Sequence, residues 1–499
     1  MSGTVHLRAV PDITLDALER VAYQGARVTL DEGLLSDVEA AHQAFLRYLD
    51  AGGSSYGVTT GFGALAGIEV APEARGPLQR RALLGAAVAM GPPFPAPVVR
   101  GMLLVRLVNF LSCRSAVSAA LCRFLVDRLN EGFTPWVPSR GLSTAGEIIP
   151  LAHLAQTLVG EGFLLGPDGE RVPAQRWFQE RALRPYDPKL KEGLALIGGT
   201  AASPPYAYHA VRTLDAALHR HTLVATASIE ALAAPLEPYA PEVDMLRPEP
   251  GIGHVNRIIR GMIEGTRIRR REGQAPVSFR IVPQVHGAAV DALKGVKDTL
   301  ARELASISDN PIFLAGKPDR VLSSGTFHNQ HLVNVLEELA LAIAQVGLLS
   351  VRRVHRLLDP RFSGLRPQLA SKPGLDRGLV VVHKAMLAYA ARLRLLASPT
   401  SLEQADASFG QEDAMTMIFP VIDRLLEISD LLGILAAHEL YVAMVAVDER
   451  DELPGAAVEA LRRRVRGIVP KYEGDRPYGT EIEAVGALIL TELDRSSPR

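Results

Sequence analysis

The chain has 499 residues, and its 47% apolar content is enough to bury a large core, in one helical body or in two or three domains. Its 54 basic and 55 acidic residues balance, which argues against nucleic acid or an anionic membrane as a partner. Its only two cysteines, Cys113 and Cys122, argue against a disulfide framework. Because no stretch stays uncharged long enough to span a bilayer, and no apolar targeting segment opens the chain, we predict a soluble cytoplasmic protein.

The first 130 residues combine short strands with helices. The pattern predicts strands at 4–10 and 26–30, a helix at 31–49, and helical structure from 78 to 130 in two runs broken near 91–93. The glycine-rich segment 52–65 indicates unusual backbone angles or a close approach to a ligand. Tyr56 lies inside this segment. A packing residue is the commoner role for such a tyrosine, and a catalytic phenol is the rarer one.

Residues 133–162 form a loop stiffened by prolines and glycines, followed by a helix with Leu, Ala and His at helical spacing. The N-terminus of such a helix favours a carboxylate or a developing negative charge. Two interpretations are open: a capped turn before a core helix, or a rigid loop that holds reactive backbone near a ligand.

After residue 203 the chain reads as long helices with apolar residues on most faces, typical of an interior bundle or a helix-mediated oligomer. They are predicted at 203–235, 251–265, 284–307, 329–357, 376–397 and 411–448. The basic run 267–271 is interpreted as a solvated loop rather than a phosphate site. We predict an N-terminal domain at 1–202, a central long-helix bundle at 203–452 and a C-terminal helical unit at 453–499.

Several separated segments carry a resemblance to a known family. They are YGVTTGFG at 56–63, the stretch from Pro135 to His153, IVPQVHG at 281–287, SDNP at 308–311, Phe327-His328 and QED at 411–413. With these motifs the chain resembles the histidine and phenylalanine ammonia-lyases over nearly its whole length.

The resemblance implies a mainly α fold of the histidine/phenylalanine ammonia-lyase type, with a long central helical bundle and a small α/β-containing N-terminal part. It also implies a homotetramer with active sites built from three subunits, acting on a small amino-acid-like or carboxylate substrate. The electrophile in this family is the 4-methylidene-imidazol-5-one (MIO) ring, which forms from an Ala-Ser-Gly triad of the chain itself. The substrate amine adds to the ring, and a tyrosine removes the β-proton.

The triad departs from the family pattern. Its positions fall on Thr144, Ala145 and Gly146. Because Ala145 has no hydroxyl group to eliminate, the expectation is that no MIO cofactor forms. The alternative is that Thr144 dehydrates with Ser143 and Ala145 as its neighbours, although the Cβ of Ala145 restricts the compressed backbone that ring closure needs.

Positions near the substrate in the family have also changed. Two histidines, two asparagines, a tyrosine and a glutamine of the family are replaced by Ala86, Ala414, Gly198, Thr326, Val277 and His383, respectively. The smaller side chains at Ala86, Gly198 and Val277 predict a larger cavity and a bulkier substrate than histidine.

Other positions keep the family residue. By resemblance, Arg280 holds a substrate carboxylate through a bidentate fork, and Tyr56 is the catalytic base. Glu412 and His383 are the expected further acid or base residues. The structural alternative is that Arg280 and Glu412 are ion-paired residues at helix ends. The expected substrate-binding residues besides Arg280 are Gly63, Phe327, Gly198, Ala86, Thr326 and Gln330.

Three functions remain open. The first is an enzyme of altered chemistry that acts without MIO, by elimination, isomerisation or cyclisation with Tyr56-assisted proton transfer. The second is a true ammonia-lyase or aminomutase with an atypical self-formed ring. The third is a non-catalytic ligand-binding homologue. No metal is expected, because His153, His286, His328 and His383 have no recognised metal-ligand spacing.

Overall fold

A computed structural model of the chain describes residues 3–142, 145–402 and 406–492, and these are mainly α-helical, as predicted. The chain forms two compact units, each assembled from three stretches of sequence. The first unit consists of residues 1–209, 297–334 and 400–421, and the second of 210–296, 335–399 and 422–499. The predicted division at residues 202 and 452 stays a prediction.

Short two-stranded sheets accompany the helices of the first unit. The strands β1 (Thr4–Leu7) and β2 (Arg27–Leu30) pair in parallel and agree with the two predicted strands. The first strand ends before residue 10 because Val10–Asp12 turns into a 3-10 helix. The other pairs are antiparallel: β3 (Met90–Pro93) with β4 (Pro138–Arg140), β5 (Phe163–Leu165) with β6 (Arg171–Pro173), and β7 (Ile312–Leu314) with β8 (Arg320–Leu322).

The helices before residue 200 follow the predicted pattern with one interruption. The helix after β2 begins at Glu32, because the side chain of Asp31 caps it by accepting the N–H of Leu34 at 3.1 Å. The run predicted up to residue 130 breaks after residue 111, since Cys113 and Ala116 have φ angles of 60° and 54°, which a helix excludes. These helices are α1 (Leu15–Leu18), α2 (Glu32–Asp50), α3 (Arg75–Gly85), α4 (Ala96–Leu111), α5 (Ala119–Asn130), α6 (Ile148–Leu158), α7 (Ala174–Glu180) and α8 (Glu192–Ile197).

Long helices dominate the rest of the chain, and every predicted long helix is present. The last begins seven residues later than the predicted 411, at Ile418, because Phe409 and Met417 have φ angles of 56° and 51°. The helices are α9 (Ser203–Ala231), α10 (Pro241–Leu246), α11 (Pro250–Ile263), α12 (Val277–Arg280), α13 (Val282–Leu304), α14 (Gln330–Leu357), α15 (Pro360–Ser363), α16 (Val380–Leu396), α17 (Ile418–Asp448), α18 (Ala456–Ile468) and α19 (Gly479–Glu492). Further 3-10 helices are Gly63–Leu65, Pro72–Ala74, Glu237–Tyr239, Pro367–Leu369 and Ser408–Gly410, and Glu19–Tyr23 is a π-helix.

Helices α14 and α17 are long and apolar enough to cross a membrane, but 56% and 78% of the residues in their most apolar windows are buried, as in the core helices of a soluble protein.

The second unit contains a buried ion pair between α14 and α17. Arg353 of α14 donates to both carboxylate oxygens of Glu439 in α17 at 2.6 and 2.8 Å, and Ser228 of α9 donates to the same carboxylate at 2.7 Å. This contact fixes the register of the three helices there. A cytoplasmic location stays a prediction.

Candidate active site

In the glycine-rich loop after α2, the phenol of Tyr56 is bound by a backbone N–H of the same loop. The N–H of Gly63 donates to the Tyr56 Oη at 2.7 Å, and the Phe62 ring packs edge-on against the Tyr56 ring at 6.1 Å between centroids. Gly57 and Gly63 have φ angles of +67° and +54°, which glycine adopts without strain. Because the phenol oxygen accepts here, its own proton remains available, and the Gly63 N–H can go on donating after that proton has left.

Glu412 lies on a second loop that touches this one. A Cβ added at Gly63 would lie 3.9 Å from the Oγ of Ser408, and that Oγ donates to the Glu412 carboxylate at 3.2 Å. The backbones of Ala407 and Glu412 pair with each other at 2.9 and 3.2 Å, which closes the loop. Sequence reasoning missed Ser408, although it lies four residues before Glu412 in the same helix interruption.

A buried amide connects the Tyr56 loop to the helix that ends at Gly198. Gln79 of α3 donates to the carbonyl of Gly57 at 2.8 Å and accepts the N–H of Leu194 in α8 at 2.9 Å. Its side chain is completely buried. In the sequence Gln79 is one of several polar residues of a short helix without an apolar face, so no signal marked it.

The loop at the triad position packs against two other predicted site residues. Gly146 has a φ of +82°, and a Cβ added there would lie 3.6 Å from the Phe327 Cβ and 3.8 Å from the carbonyl oxygen of Gly199. At Gly198, an added Cβ would lie 3.1 Å from a carboxylate oxygen of Asp309. The structure therefore brings Gly146, Gly198 and Phe327 together. Thr144 lies outside the described residues.

Thr326 belongs to the same group. Its hydroxyl donates to the backbone carbonyl of Asp309 at 3.4 Å. The carboxylate of Asp309 accepts from Lys191 at 2.6 Å, and both side chains are almost wholly buried. Sequence reasoning missed Lys191, whose signal is a charged residue beside the apolar run that leads to Gly198. Gln330 donates instead to Asn334 at 2.8 Å, and Ala86 closes α3 as a half-buried residue.

Two further buried charges flank the triad loop. Glu147 accepts the N–H groups of Ala202 and Ser203 at 2.6 and 3.0 Å, at the start of α9. Burial raises the pKa of Glu147 to about 7, although these hydrogen bonds and the charge of Arg106 oppose the shift. Arg106 donates to the carbonyl of Gly198, and burial lowers its pKa to about 10. Within the described residues its Nε and Nη2 have no hydrogen-bond partner.

Arg280 and His383 belong to the second unit. Arg280 ends α12, and neither an ion pair nor a partner for its buried Nε occurs in the part of the chain that the structure describes. The hydroxyl of Tyr239 donates to the carbonyl of Phe279 at 3.0 Å and so holds this short helix. His383 stacks on His355 at 4.7 Å, and burial, followed by the charge of His355, lowers its pKa.

Comparisons with known proteins identify the fold. The sequence matches the family of aromatic amino acid lyases over residues 13–467. It is 35% identical to histidine ammonia-lyase of Streptomyces coelicolor over 488 residues, which is 96% of this chain and 95% of the relative. The solved tyrosine aminomutase of Streptomyces globisporus has a TM-score of 0.88 at 28% identity and covers 98% of both chains. Ergothionase of Treponema denticola, an ergothioneine-degrading enzyme, shares the fold with a TM-score of 0.92 at 22% identity, over 97% of this chain and 99% of its own.

These relatives confirm the predicted fold and correct the cofactor expectation. Histidine ammonia-lyases use MIO, so the prediction that no such group belongs to this chain is contradicted by its relatives. Gly146, with its left-handed backbone, fits a triad glycine. Ala145 does not fit the triad serine, because it has no hydroxyl group. Ser143 and Thr144 have hydroxyl groups but lie outside the described residues. Within the described residues, only the glycine of the triad position therefore fits the ring.

Proposed function

Because the chain belongs to the aromatic amino acid lyase family, we propose that it is a lyase for a small amino-acid-like carboxylate and that Tyr56 removes the proton. The observation that carries the proposal is the 2.7 Å hydrogen bond from the Gly63 N–H to the Tyr56 Oη. This bond orients the phenol and leaves its proton free to move. The enzyme acts as a homotetramer, with active sites shared between subunits.

The substrate carboxylate binds the guanidinium of Arg280, which is supported by the lack of an ion pair for Arg280 within the described residues. Glu412, held by Ser408, receives the substrate amine, and His383 is a second acid or base. The remaining contacts to substrate come from Gly63, Phe327, Gly198, Ala86, Thr326 and Gln330.

In an elimination, the deprotonated Tyr56 oxygen takes the β-proton of the substrate. The electron pair of the broken C–H bond forms the carbon–carbon double bond, and the electrons of the Cα–N bond leave with the amine. Glu412, which carries no ion pair within the described part of the chain, is the residue that holds the substrate ammonium group, and this group leaves as neutral ammonia with the electrons of the Cα–N bond.

A second candidate function is an aminomutase, in which the amine returns to the β-carbon. The 28% identity to tyrosine aminomutase over almost the whole chain favours this candidate. It predicts a β-amino acid as product in place of free ammonia. A non-catalytic, ligand-binding role would instead make Tyr56 a packing residue against Phe62.

The test is an assay of the full-length protein with aromatic amino acids, following the absorbance of the new double bond, free ammonia and β-amino acid. In Tyr56→Phe, we expect turnover to fall about 10²- to 10⁴-fold, because the proton-accepting oxygen is lost and the ring is kept. The matched control is Tyr48→Phe, an exposed hydroxyl that donates to the Ser54 carbonyl on the same segment. Equal rates in Tyr56→Phe and the wild type would remove Tyr56 from the mechanism.

Arg280→Lys tests the carboxylate anchor. Lysine keeps the charge but cannot form the two parallel hydrogen bonds of a guanidinium, so we expect the affinity for carboxylate substrates to fall about tenfold. Calorimetric titration with substrate measures this loss. Unchanged affinity would mean that Arg280 has a structural role only.

The intact mass of the purified chain tests the ring separately. A mass lower than that of the encoded chain by two water molecules would mean that the hydroxyl group of Ser143 or Thr144 has been used for ring formation. The encoded mass would mean that the purified chain carries no ring.

A further inference from the structure

A buried tyrosine of the second unit binds the peptide group that precedes Arg280. Tyr239 ends the 3-10 helix Glu237–Tyr239 and is only 1% exposed. Its hydroxyl donates to the carbonyl of Phe279 at 3.0 Å, and Phe279 is completely buried. The proposed reaction does not use Tyr239. The contacts around Arg280 distinguish a structural role of this tyrosine from a positioning role.

The sequence explains why this carbonyl takes a side-chain donor. In a continuous helix the carbonyl of Phe279 would accept the N–H of residue 283, but that residue is Pro283, which has no N–H. The N–H of Ile281, which caps α12, is shared between the carbonyls of Val277 and Phe279. Because Phe279 is buried away from water, an unsatisfied carbonyl would cost free energy there, and the phenol of Tyr239 supplies the donor.

The peptide group that Tyr239 binds also carries the backbone nitrogen of Arg280. A peptide bond is planar, so the carbonyl of Phe279 and the N–H of Arg280 turn together. The helical hydrogen bond from this N–H to the carbonyl of Pro276 is long, at 3.4 Å. Helix α12 has only four residues and gives little rigidity by itself. The bond from the phenol is shorter than the helical one, so it fixes the orientation of this peptide group and with it the start of the Arg280 side chain.

Tyr239 is itself held through its backbone. Its carbonyl accepts from Nη1 of Arg260 at 2.8 Å, and Nη2 of Arg260 donates to the carboxylate of Asp244 at 3.0 Å. Burial raises the pKa of Tyr239, although the charges of Arg353 and Arg270 oppose the shift. The hydroxyl therefore keeps its proton and is a fixed donor across the physiological pH range.

We infer that Tyr239 is a positioning residue for Arg280: by binding the peptide group between Phe279 and Arg280, its phenol sets the direction in which the guanidinium meets a ligand carboxylate. This role rests on the proposed function, in which Arg280 anchors the substrate carboxylate. A bidentate fork is sensitive to its orientation, because two parallel hydrogen bonds must form at once. Tyr239 acts through Arg280 and is assigned no contact of its own with the substrate.

The test compares Tyr239→Phe with the wild-type full-length protein by calorimetric titration. The probes are L-phenylalanine and phenethylamine, which has the same ring and amine but no carboxylate. In Tyr239→Phe we expect the affinity for L-phenylalanine to fall about fivefold, the equivalent of one net hydrogen bond, and the affinity for phenethylamine to stay unchanged. A tyrosine with only a structural role would leave both affinities unchanged or lower both by the same factor, and either result would overturn the inference.

Two further variants separate positioning from a loss of stability. Tyr441→Phe removes another buried phenol of the same unit, which donates to Glu481 at 2.7 Å, and it should bind both probes like the wild type. In Arg280→Lys, which has lost the bidentate fork, adding Tyr239→Phe should lower the affinity for L-phenylalanine by less than about twofold more. A further loss of about fivefold in this double variant would mean that Tyr239 acts independently of Arg280, which would contradict the inference.

Amide hydrogen exchange over residues 277–282 distinguishes a failure of this inference from a failure of the proposed function. In Tyr239→Phe these amides should exchange about fivefold faster than in the wild type and in Tyr441→Phe, because the buried contact that holds α12 is lost. If the wild type does not bind L-phenylalanine, or Arg280→Lys binds it normally, the carboxylate anchor of the proposed function is wrong, and faster exchange would still support the contact of Tyr239 with α12. Unchanged exchange in Tyr239→Phe would overturn the inference whatever the affinities are.

Discussion

The two units each contain a buried acidic and a buried basic residue, and these two pairs differ in whether their members are hydrogen-bonded to each other. In the second unit, Arg353 and Glu439 contact each other through two hydrogen bonds. Burial by itself would raise the pKa of Glu439, but Arg353 outweighs it and leaves that pKa below its ordinary value. In the first unit, Glu147 and Arg106 bond to backbone groups instead of to each other. There burial dominates and shifts the pKa of each toward its neutral form.

The Arg353–Glu439 pair connects helices, whereas Glu147 and Arg106 bind the backbone around the candidate site. A mutually bonded pair neutralises itself and fixes helix register. Glu147 and Arg106 instead hold the loop at Gly146 and the carbonyl of Gly198, and their perturbed pKa values are typical of functional sites. Substitutions in the two groups should therefore change different properties.

The largest effect is expected from breaking the self-neutralised pair. Glu439→Gln leaves Arg353 buried without its counter-charge, so the free energy of unfolding should fall by about 3–5 kcal/mol. The double variant Arg353→Met with Glu439→Leu removes both charges and should recover most of that loss. Denaturant unfolding monitored by circular dichroism measures both variants. A loss below about 1 kcal/mol in Glu439→Gln would contradict the strong coupling of the buried pair.

Glu147 should produce a pH dependence that the bonded pair does not. Its ordinary pKa of 4.5 rises to about 7 in the folded chain, so between these values the folded chain holds a proton that the unfolded chain has released. Its contribution to stability therefore falls as pH rises through this window, by about 3 kcal/mol in total, and levels off above pH 7.

Glu147→Gln keeps a hydrogen-bond acceptor and removes the titration. Between pH 5 and pH 8, the midpoint of thermal unfolding of the wild type should fall relative to that of the variant. The control Glu69→Gln, at an exposed position, should follow the wild type. Parallel curves for the wild type and Glu147→Gln would contradict the raised pKa.

The smallest effect is expected from removing the buried amide of Gln79, which tests how the Tyr56 loop is positioned. Gln79→Leu removes the amide that bonds Gly57 and Leu194 and leaves both backbone groups unpaired, which should cost about 1–3 kcal/mol of unfolding free energy. Because the Tyr56 loop loses this anchor, turnover should also fall about tenfold or more. The control Gln43→Leu removes an exposed hydrogen bond to Glu39 and should change neither quantity. Full turnover in Gln79→Leu would show that Tyr56 is positioned without this bridge.

The helices of the molecule and the predicted loops could be found from the sequence. Apolar residues at helical spacing predicted the long helices to within a few residues at most ends, because this pattern repeats along the local chain. Glycines such as Gly57 and Gly146 marked loops whose φ angles are indeed positive. The separated motifs identified the family, which the relatives confirm. The late start of α17 was missed, because Gly410 is followed by a helix-like pattern and the positive φ angle just before the helix occurs at Met417, which is not a glycine.

The contacts between distant segments could be found only in the tertiary structure. Gln79 bonds Leu194, 115 residues away, and Arg106 bonds Gly198, 92 residues away. Such contacts leave no periodic or local pattern, because they depend on how helices pack and not on the neighbours of each residue. The pKa of Glu147 has the same origin, since an exposed glutamate and a buried one are identical in the sequence and differ only in their distance from water.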